Sequence, residues 1–311
     1  MKSTFSIAIH GGAGTIQQKD MTLEKQQKLE KTLKLSIEAG IDVLKDGGTA
    51  IDATSAAVMI MEDSELFNAG KGAVFNTDGF VEMDAAIMCG KTRQAGAVTC
   101  VRNIKNPILL SKEILLYSEH ILLDNQGAEA FAREKGISFE NDDYFYTQHR
   151  YDQLQAAKQQ KIVQLDHSKS NDGIFGTVGA VALDQYGNIA AATSTGGMTN
   201  QTAGRVGDTP MIGSGTYANN KTCAVSCTGT GESFIRAVAA YDVSALMEYG
   251  GRSLKEAGNI VILEKLLEVG GRGGLIAVDN TGNITQPFNS EGMYRAFYKS
   301  GESIHIEMYK S

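Results

Sequence analysis

At 311 residues, with 42% hydrophobic and 21% charged side chains, the chain has the make-up of a globular protein that buries a large core. A formal charge of −7 with no local run of Lys and Arg argues against nucleic acid or an anionic membrane as partner. No apolar stretch approaches the ~20 residues a spanning helix needs, and the four cysteines include no CxxC pair.

In chain order, FSIAI (5–9) reads as a buried strand that runs into a glycine turn, His10-Gly11-Gly12-Ala13-Gly14. Because the apolar run stops at His10, this N-terminus reads as a strand and not a signal peptide. From about Thr22 to Lys45, Leu29, Leu33, Ile37, Ile41 and Leu44 recur at helical spacing, and Gly47-Gly48 ends that helix. Thr49 opens a second helix with Asp52 placed as in a capping box, and its many small residues allow close packing. A loop, SELFNAGKGAVFNTDG, precedes strands expected at 80–88 and 95–103 and helices near 107–118 and 127–135.

Residues 138–176 are rich in Asp, Asn, Gln, Lys and Ser. At roughly 35–40 residues with one plausible helix (150–160), this stretch is longer than an ordinary connection within a compact domain. It reads as a surface excursion or as a flexible tail whose order ceases to matter once the chain is cut. Beyond it, TVGAVALD (177–184) and NIAAATST (188–195) form a hairpin around Gln185-Tyr186-Gly187. A strand at 222–227, helices near 232–247 and 253–266, and strands near 274–279, 292–298 and 304–309 complete the chain. Cys223 and Cys227 share one strand face as packed thiols, which fits a reducing, cytoplasmic setting. Strands in hairpins and helices in pairs predict an α/β (α+β) four-layer αββα sandwich of two mainly antiparallel sheets.

Several chemistries lack their motifs. There is no G-x-S-x-G, no P-loop and no H-E-x-x-H, and Gly213-x-Gly215-x-x-Ala218 is followed by Asn219-Asn220-Lys221 where a dinucleotide-binding helix should begin. What remains is a polar series: Thr177, Ser194-Thr195-Gly196-Gly197, Gly204-Arg205-Val206-Gly207-Asp208, and Thr228-Gly229-Thr230-Gly231. Taken singly, each Thr is an ordinary strand residue and each Gly pair a turn, while Arg205 and Asp208 could be a surface ion pair. Together they read as a site.

TVGAVALDQYGNIAAATSTGGMTNQTAGRVGDTPMIGSGTYANN and CTGTGESFIRAVAAYD resemble the plant-type asparaginases and bacterial isoaspartyl peptidases, as do IAIHGGAG, GGTAIDA and MEDSELFNAGKGAVF near the N-terminus. The likeness runs across nearly the whole chain and is poorest over 138–176. It implies the N-terminal-nucleophile (Ntn) hydrolase fold and a precursor that cuts itself between Gly176 and Thr177. Residues 1–176 and 177–311 would become two fragments of one structural domain. Thr177 would be the nucleophile, with its freed α-amine as base, a group whose pKa of about 7.7–8 suits that task. Thr195 would orient it, Thr228 and the Gly229 N–H would form the oxyanion hole, and Asn68 would support Thr177 from the other fragment. Arg205 would take the substrate α-carboxylate, and Asp208 with the Gly231 carbonyl its α-ammonium.

The resemblance therefore implies hydrolysis of isoaspartyl dipeptides and of the side-chain amide of L-asparagine by a dimer of cleaved heterodimers, with no organic cofactor. It also implies a structural sodium ion on backbone carbonyls of the 61–71 loop, at Met61, Glu62, Ser64, Phe67, Ala69 and Lys71. Around His120 the chain matches a potassium-responsive loop of some relatives, with Glu119 where Pro is common. Alternatives are a glycosylasparaginase-like hydrolase, which is lysosomal or secreted, a threonine aspartase, or a catalytically silent scaffold that stays uncut.

Overall fold

Twelve strands lie in two sheets among the described residues of the computed structural model, which are 4–15, 21–160, 162–163 and 176–310. In chain order these are β1 (Ser6–Gly14), β2 (Met83–Cys89), β3 (Ala95–Val101), β4 (Leu122–Asp124), β5 (Val178–Leu183) and β6 (Ile189–Thr195). They continue as β7 (Thr216–Ala218), β8 (Cys223–Gly229), β9 (Gly273–Asp279), β10 (Ile284–Thr285), β11 (Gly292–Lys299) and β12 (His305–Tyr309). The larger sheet runs β12-β11-β1-β5-β6-β2-β3-β4 and the smaller β10-β9-β8-β7. Every pairing is antiparallel except β3 with β4.

Helices α1 (Leu23–Lys45), α2 (Ala50–Glu62) and α3 (Pro107–Tyr117) cover the outer face of the large sheet. The apolar stripe predicted for α1 is its buried face, from Leu29 to Leu44. Thr22 and Thr49 cap the first two helices by accepting the N–H groups of Lys25 and Asp52. Small residues on α2 serve close packing, as expected: a Cβ on Gly40 of α1 would come within 3.1 Å of the Ala53 carbonyl. Further on come α4 (Asn125–Glu134), α5 (Asp142–Phe145) and α6 (Gln148–Gln160), then α7 (Gly231–Ala237), α8 (Ala239–Glu248) and α9 (Leu254–Ile260). A wider turn at Val261–Lys265 and α10 (Leu266–Glu268) extend α9, and α8 and α9 cover the small sheet. Between the sheets lies a thin layer built largely of Ala8, Val181, Ala191, Ala224, Ile276 and Val278. The result is the four-layer sandwich expected, with helix, sheet, sheet and helix stacked in turn.

Three local expectations are corrected. The HGGAG stretch is no turn but the second half of β1, pairing with β11 through a bulge between His10 and Gly12. Pairing with β11, which continues to Gly14 after β5 ends at His10, outweighs the turn preference of glycine here. The single helix expected at 232–247 is two, because the N–H groups of Ala240 and Tyr241 go to the carbonyls of Ser214 and Gly213 and Val238 turns left-handed at φ 48°. The described part of the 138–176 stretch holds two helices, α5 as well as α6, with Phe145, Arg150, Leu154 and Ala157 buried. Residues 161 and 164–175 of the expected tail lie outside the described residues.

Candidate active site

The hairpin of β5 and β6 builds the centre of the site. Thr177 precedes β5, whose first residue Val178 pairs with Ser194, so Thr177 comes level with the end of β6. Its Oγ1 donates to Thr195 Oγ1 at 3.1 Å, and it is only 8% exposed. Thr195 Oγ1 also accepts the Gly197 N–H at 3.1 Å, so its lone pairs are fixed while its own hydrogen stays free to turn. On the other side, Gly12 has φ +112° and lies against Gly176; a Cβ there would fall 2.5 Å from the Gly176 nitrogen.

Asn68 does not hydrogen-bond Thr177 directly. Its Nδ2 donates to the Gly197 carbonyl at 2.7 Å, its Oδ1 accepts the Val74 N–H at 3.0 Å, and its carbonyl accepts the Gly196 N–H at 3.0 Å. It thereby shapes the Gly196-Gly197 turn that presents an N–H to Thr195. Thr228 is fully buried, and its Oγ1 accepts the Ala13 N–H at 3.2 Å, which leaves its O–H as a donor. Gly229, at φ +149°, lines a small open cleft together with Thr177, Thr195, Arg205, Asp208 and Gly231.

Charge is distributed unevenly around that cleft. Arg205 donates Nε and Nη2 to the two carboxylate oxygens of Glu232, each at 3.0 Å. Burial works to raise the Glu232 pKa, but its bonds to Arg205 bring it below the usual range. Asp208 is 4% exposed, and its Oδ2 has no hydrogen-bond partner among the described residues. Burial raises its pKa to about 7, against the pull of Arg205. A Cβ on Gly231 would stand 2.8 Å from Arg205 Nη2 and 3.0 Å from Asp208 Oδ1, so the missing side chain leaves room between the two charges.

Three carboxylates went unseen in the sequence. Glu232 directly follows TGTG, which was the available signal. Glu82 accepts the Gly204 N–H at 3.1 Å. Asp84, opposite Thr195 in the sheet, accepts from Thr99 Oγ1 at 2.7 Å and the Cys100 N–H at 2.9 Å. Burial holds its pKa up, although hydrogen bonds and nearby Arg205 oppose the shift. His10 is buried beneath the Thr177 backbone, its Nε2 2.9 Å from Ser226 Oγ; the chain continues to Thr193 at 2.8 Å and Thr216 at 2.7 Å. Burial lowers its pKa to about 3, so the ring is neutral and too weak a base to activate a hydroxyl near pH 7.

The residues expected to hold sodium lie at the end of α2 and in the loop after it. Among the described residues no group of three His, Cys, Asp or Glu side chains could hold a metal, so any ion here depends on carbonyls. The Met61 and Ala69 carbonyls accept N–H groups from Ser64 and Gly72 at 3.2 Å each. Those of Glu62 and Phe67 face Gly70 and Gly72, where a Cβ would fall 2.3 and 2.1 Å away. The Glu62 side chain turns into the core, accepting from Ser194 Oγ at 2.6 Å and Ile108 N–H at 3.0 Å, and burial raises its pKa to about 8. His120 lies in the exposed connection between α3 and β4.

Comparison with known proteins agrees with this geometry. A family described as Asparaginase matches residues 3–308. The isoaspartyl peptidase of Escherichia coli (strain K12) is 49% identical over 307 residues, covering 98% of this chain and 96% of its own length. That of Salmonella typhimurium is 50% identical, covering 98% of each. The human isoaspartyl peptidase/L-asparaginase is 39% identical over 297 residues, covering 95% of this chain and 94% of its own. With the family match spanning nearly the full length and about half of all positions shared with the bacterial enzymes, the chain belongs to the asparaginase family of Ntn-hydrolases.

Proposed function

We propose that this chain cuts itself between Gly176 and Thr177 and then hydrolyses isoaspartyl dipeptides and the side-chain amide of L-asparagine, releasing L-aspartate. The observation that carries this reading is the Thr177–Thr195 hydroxyl pair at 3.1 Å, in a cleft whose wall holds both a guanidinium and a buried, half-unpartnered carboxylate.

In the precursor, Thr177 Oγ attacks the Gly176 carbonyl carbon, and the acyl group moves from nitrogen to oxygen. That shift breaks the C–N bond and frees the α-amine of Thr177, and water then hydrolyses the ester to leave the Gly176 carboxylate and the Thr177 hydroxyl. An amide nitrogen is not basic, whereas this amine, with a pKa of about 7.7–8, takes the hydroxyl proton in each later turnover. The substrate carboxylate meets the outer edge of Arg205, and its ammonium meets Asp208 Oδ2, which places the β-carbonyl over Thr177. Attack forms a tetrahedral oxyanion held by the Thr228 O–H and the Gly229 N–H; one such donor lowers the barrier by about 2.7–4 kcal/mol. Collapse expels ammonia or the peptide amine with the proton the α-amine had taken. Water then releases aspartate by the reverse proton path.

We propose further that a sodium ion on the 61–71 carbonyls stiffens the loop carrying Asn68, its role being structural. The working form is a homodimer of cleaved heterodimers, as the family resemblance implies, and the free thiols of Cys89, Cys100, Cys223 and Cys227 suit a reducing, cytoplasmic setting. Intact mass tests the activation step. Incubated protein should resolve into fragments 1–176 and 177–311, the second beginning TVGAV, while Thr177→Ala stays whole and inactive. Full activity on β-aspartyl dipeptides from an uncut chain would refute the proposal.

A further inference from the structure

We propose that Arg150, on α6 ahead of the cleavage site, is a positioning residue for the reaction, acting through the loop that holds Asn68. The inference rests on the function proposed above and adds a role for a residue outside the cleft.

Arg150 is 1% exposed, yet it is charged and sits on an otherwise polar helix whose buried positions are Arg150, Leu154 and Ala157. Its Nε donates to the Gly72 carbonyl at 2.7 Å, and Nη1 is held by Gln153 Oε1 at 3.0 Å. Burying a cation is costly, and an apolar side chain of similar length would dock α6 with less desolvation. Among the bonds the guanidinium makes is a directed one to a backbone oxygen of the loop.

That oxygen belongs to a short turn with no slack. The Gly72 and Ala73 N–H groups donate to the Ala69 and Gly70 carbonyls at 3.2 and 3.1 Å, and a Cβ at Gly72 would lie 2.1 Å from the Phe67 carbonyl. Two residues on, the Val74 N–H fixes Asn68 Oδ1, Asn68 Nδ2 fixes the Gly197 carbonyl, and the Gly197 N–H fixes Thr195 Oγ1. Thr195 holds the nucleophile. An unbroken series of short contacts thus joins Arg150 to the Thr177 hydroxyl.

The same segment braces the loop twice more. Tyr146 packs on Phe75 with ring centres 6.0 Å apart, while the Ile162 carbonyl accepts from Asn200 Nδ2 at 2.8 Å, and the Asn200 N–H reaches the Phe75 carbonyl at 2.9 Å. None of these contacts involves Arg205 or Asp208. Loss of Arg150 should therefore misplace the nucleophile and leave the substrate head group bound as before.

The test uses full-length wild type, Arg150→Met and Arg150→Lys, each allowed to process and then assayed on β-Asp-Leu per folded molecule. Misplacement on the ångström scale costs about 10²-fold, so Arg150→Met should lose that much in kcat with KM within about threefold. Arg150→Lys, which retains one donor, should recover part of the loss. A purely structural Arg150 would lower Tm and leave kcat per folded molecule unchanged; that result, or a loss carried by KM, overturns the inference. If Arg150→Met does not fold, Arg150→Lys decides by the same split between kcat and KM. Wild type that neither processes nor hydrolyses would instead sink the function it rests on.

Discussion

Replacing Arg205 by Ala separates substrate recognition from activation. Glu232 occupies Nε and one hydrogen of Nη2, so three of the five guanidinium N–H bonds remain, and two of them form the outer edge that meets a carboxylate. Hydrogen bonds to charged groups contribute about 1.5–3 kcal/mol each, so two amount to roughly 3–6 kcal/mol, or about 10²–10⁴-fold in kcat/KM. Glu232 is half-exposed and rehydrates when its partner goes, adding little. Asp208 fares worse, because Arg205 opposes the burial that raises its pKa. Without that cation its carboxyl moves above about 7 and more of it is protonated at neutral pH, which weakens the hold on the ammonium. The deficit should accordingly be larger at pH 7 than at pH 8.5. Steady-state kinetics on L-Asn and β-Asp-Leu read the loss, and an intact-mass time course reads processing, which should stay within about threefold of wild type because Arg205 supplies no group to the scissile bond. A variant that remains uncut, or one whose kcat/KM falls less than about tenfold at pH 7, would show that Arg205 serves the fold and not the substrate.

Two further outcomes follow from the site. Asp208 must be ionised to receive the ammonium and the Thr177 amine must be unprotonated to act, so kcat/KM should fall toward acid with a slope approaching two below pH 7. In the complex the bound ammonium keeps Asp208 ionised, so kcat should fall with a slope of one; equal slopes in both profiles would contradict the assignment of Asp208. For the 61–71 loop, replacing sodium by choline at constant ionic strength should lower Tm. Readdition should restore up to about 2.7 kcal/mol at 100 times the Kd, and a Tm indifferent to sodium would exclude the ion from that loop.

The parts of the fold that were legible in sequence are those with enough length to show a period. The α1 stripe from Leu29 to Leu44 and the small-residue, apolar 177–195 hairpin appear where their patterns place them. By contrast β4, β7 and β10 have three, three and two residues, too short for any period, and exist because a neighbouring strand offers free backbone groups. The break at Val238 was equally hidden, since a loop over twenty residues earlier supplies the competing carbonyls. The site divides in the same way. Thr177, Thr195, Arg205 and Asp208 sit beside glycines that announce an exposed backbone. Glu232 and Asp84 gain their meaning only from Arg205 and Thr195, partners 27 and more than 100 positions away. Asn68, expected to support Thr177 from the other fragment, is joined to it through Gly197 and Thr195.

The strand order has a consequence for the lifetime of the processed molecule. β1 is sandwiched between β11 and β5, while β2, β3 and β4 complete the far side of β6, so strands from either side of residue 176 are interleaved across a single sheet. Scission would leave the native contacts intact but turn a one-chain folding problem into a two-chain encounter. Heated past its transition, the mature molecule should show pronounced hysteresis, its recovery depending on dilution, whereas an uncut Thr177→Ala chain returns by a first-order route indifferent to concentration.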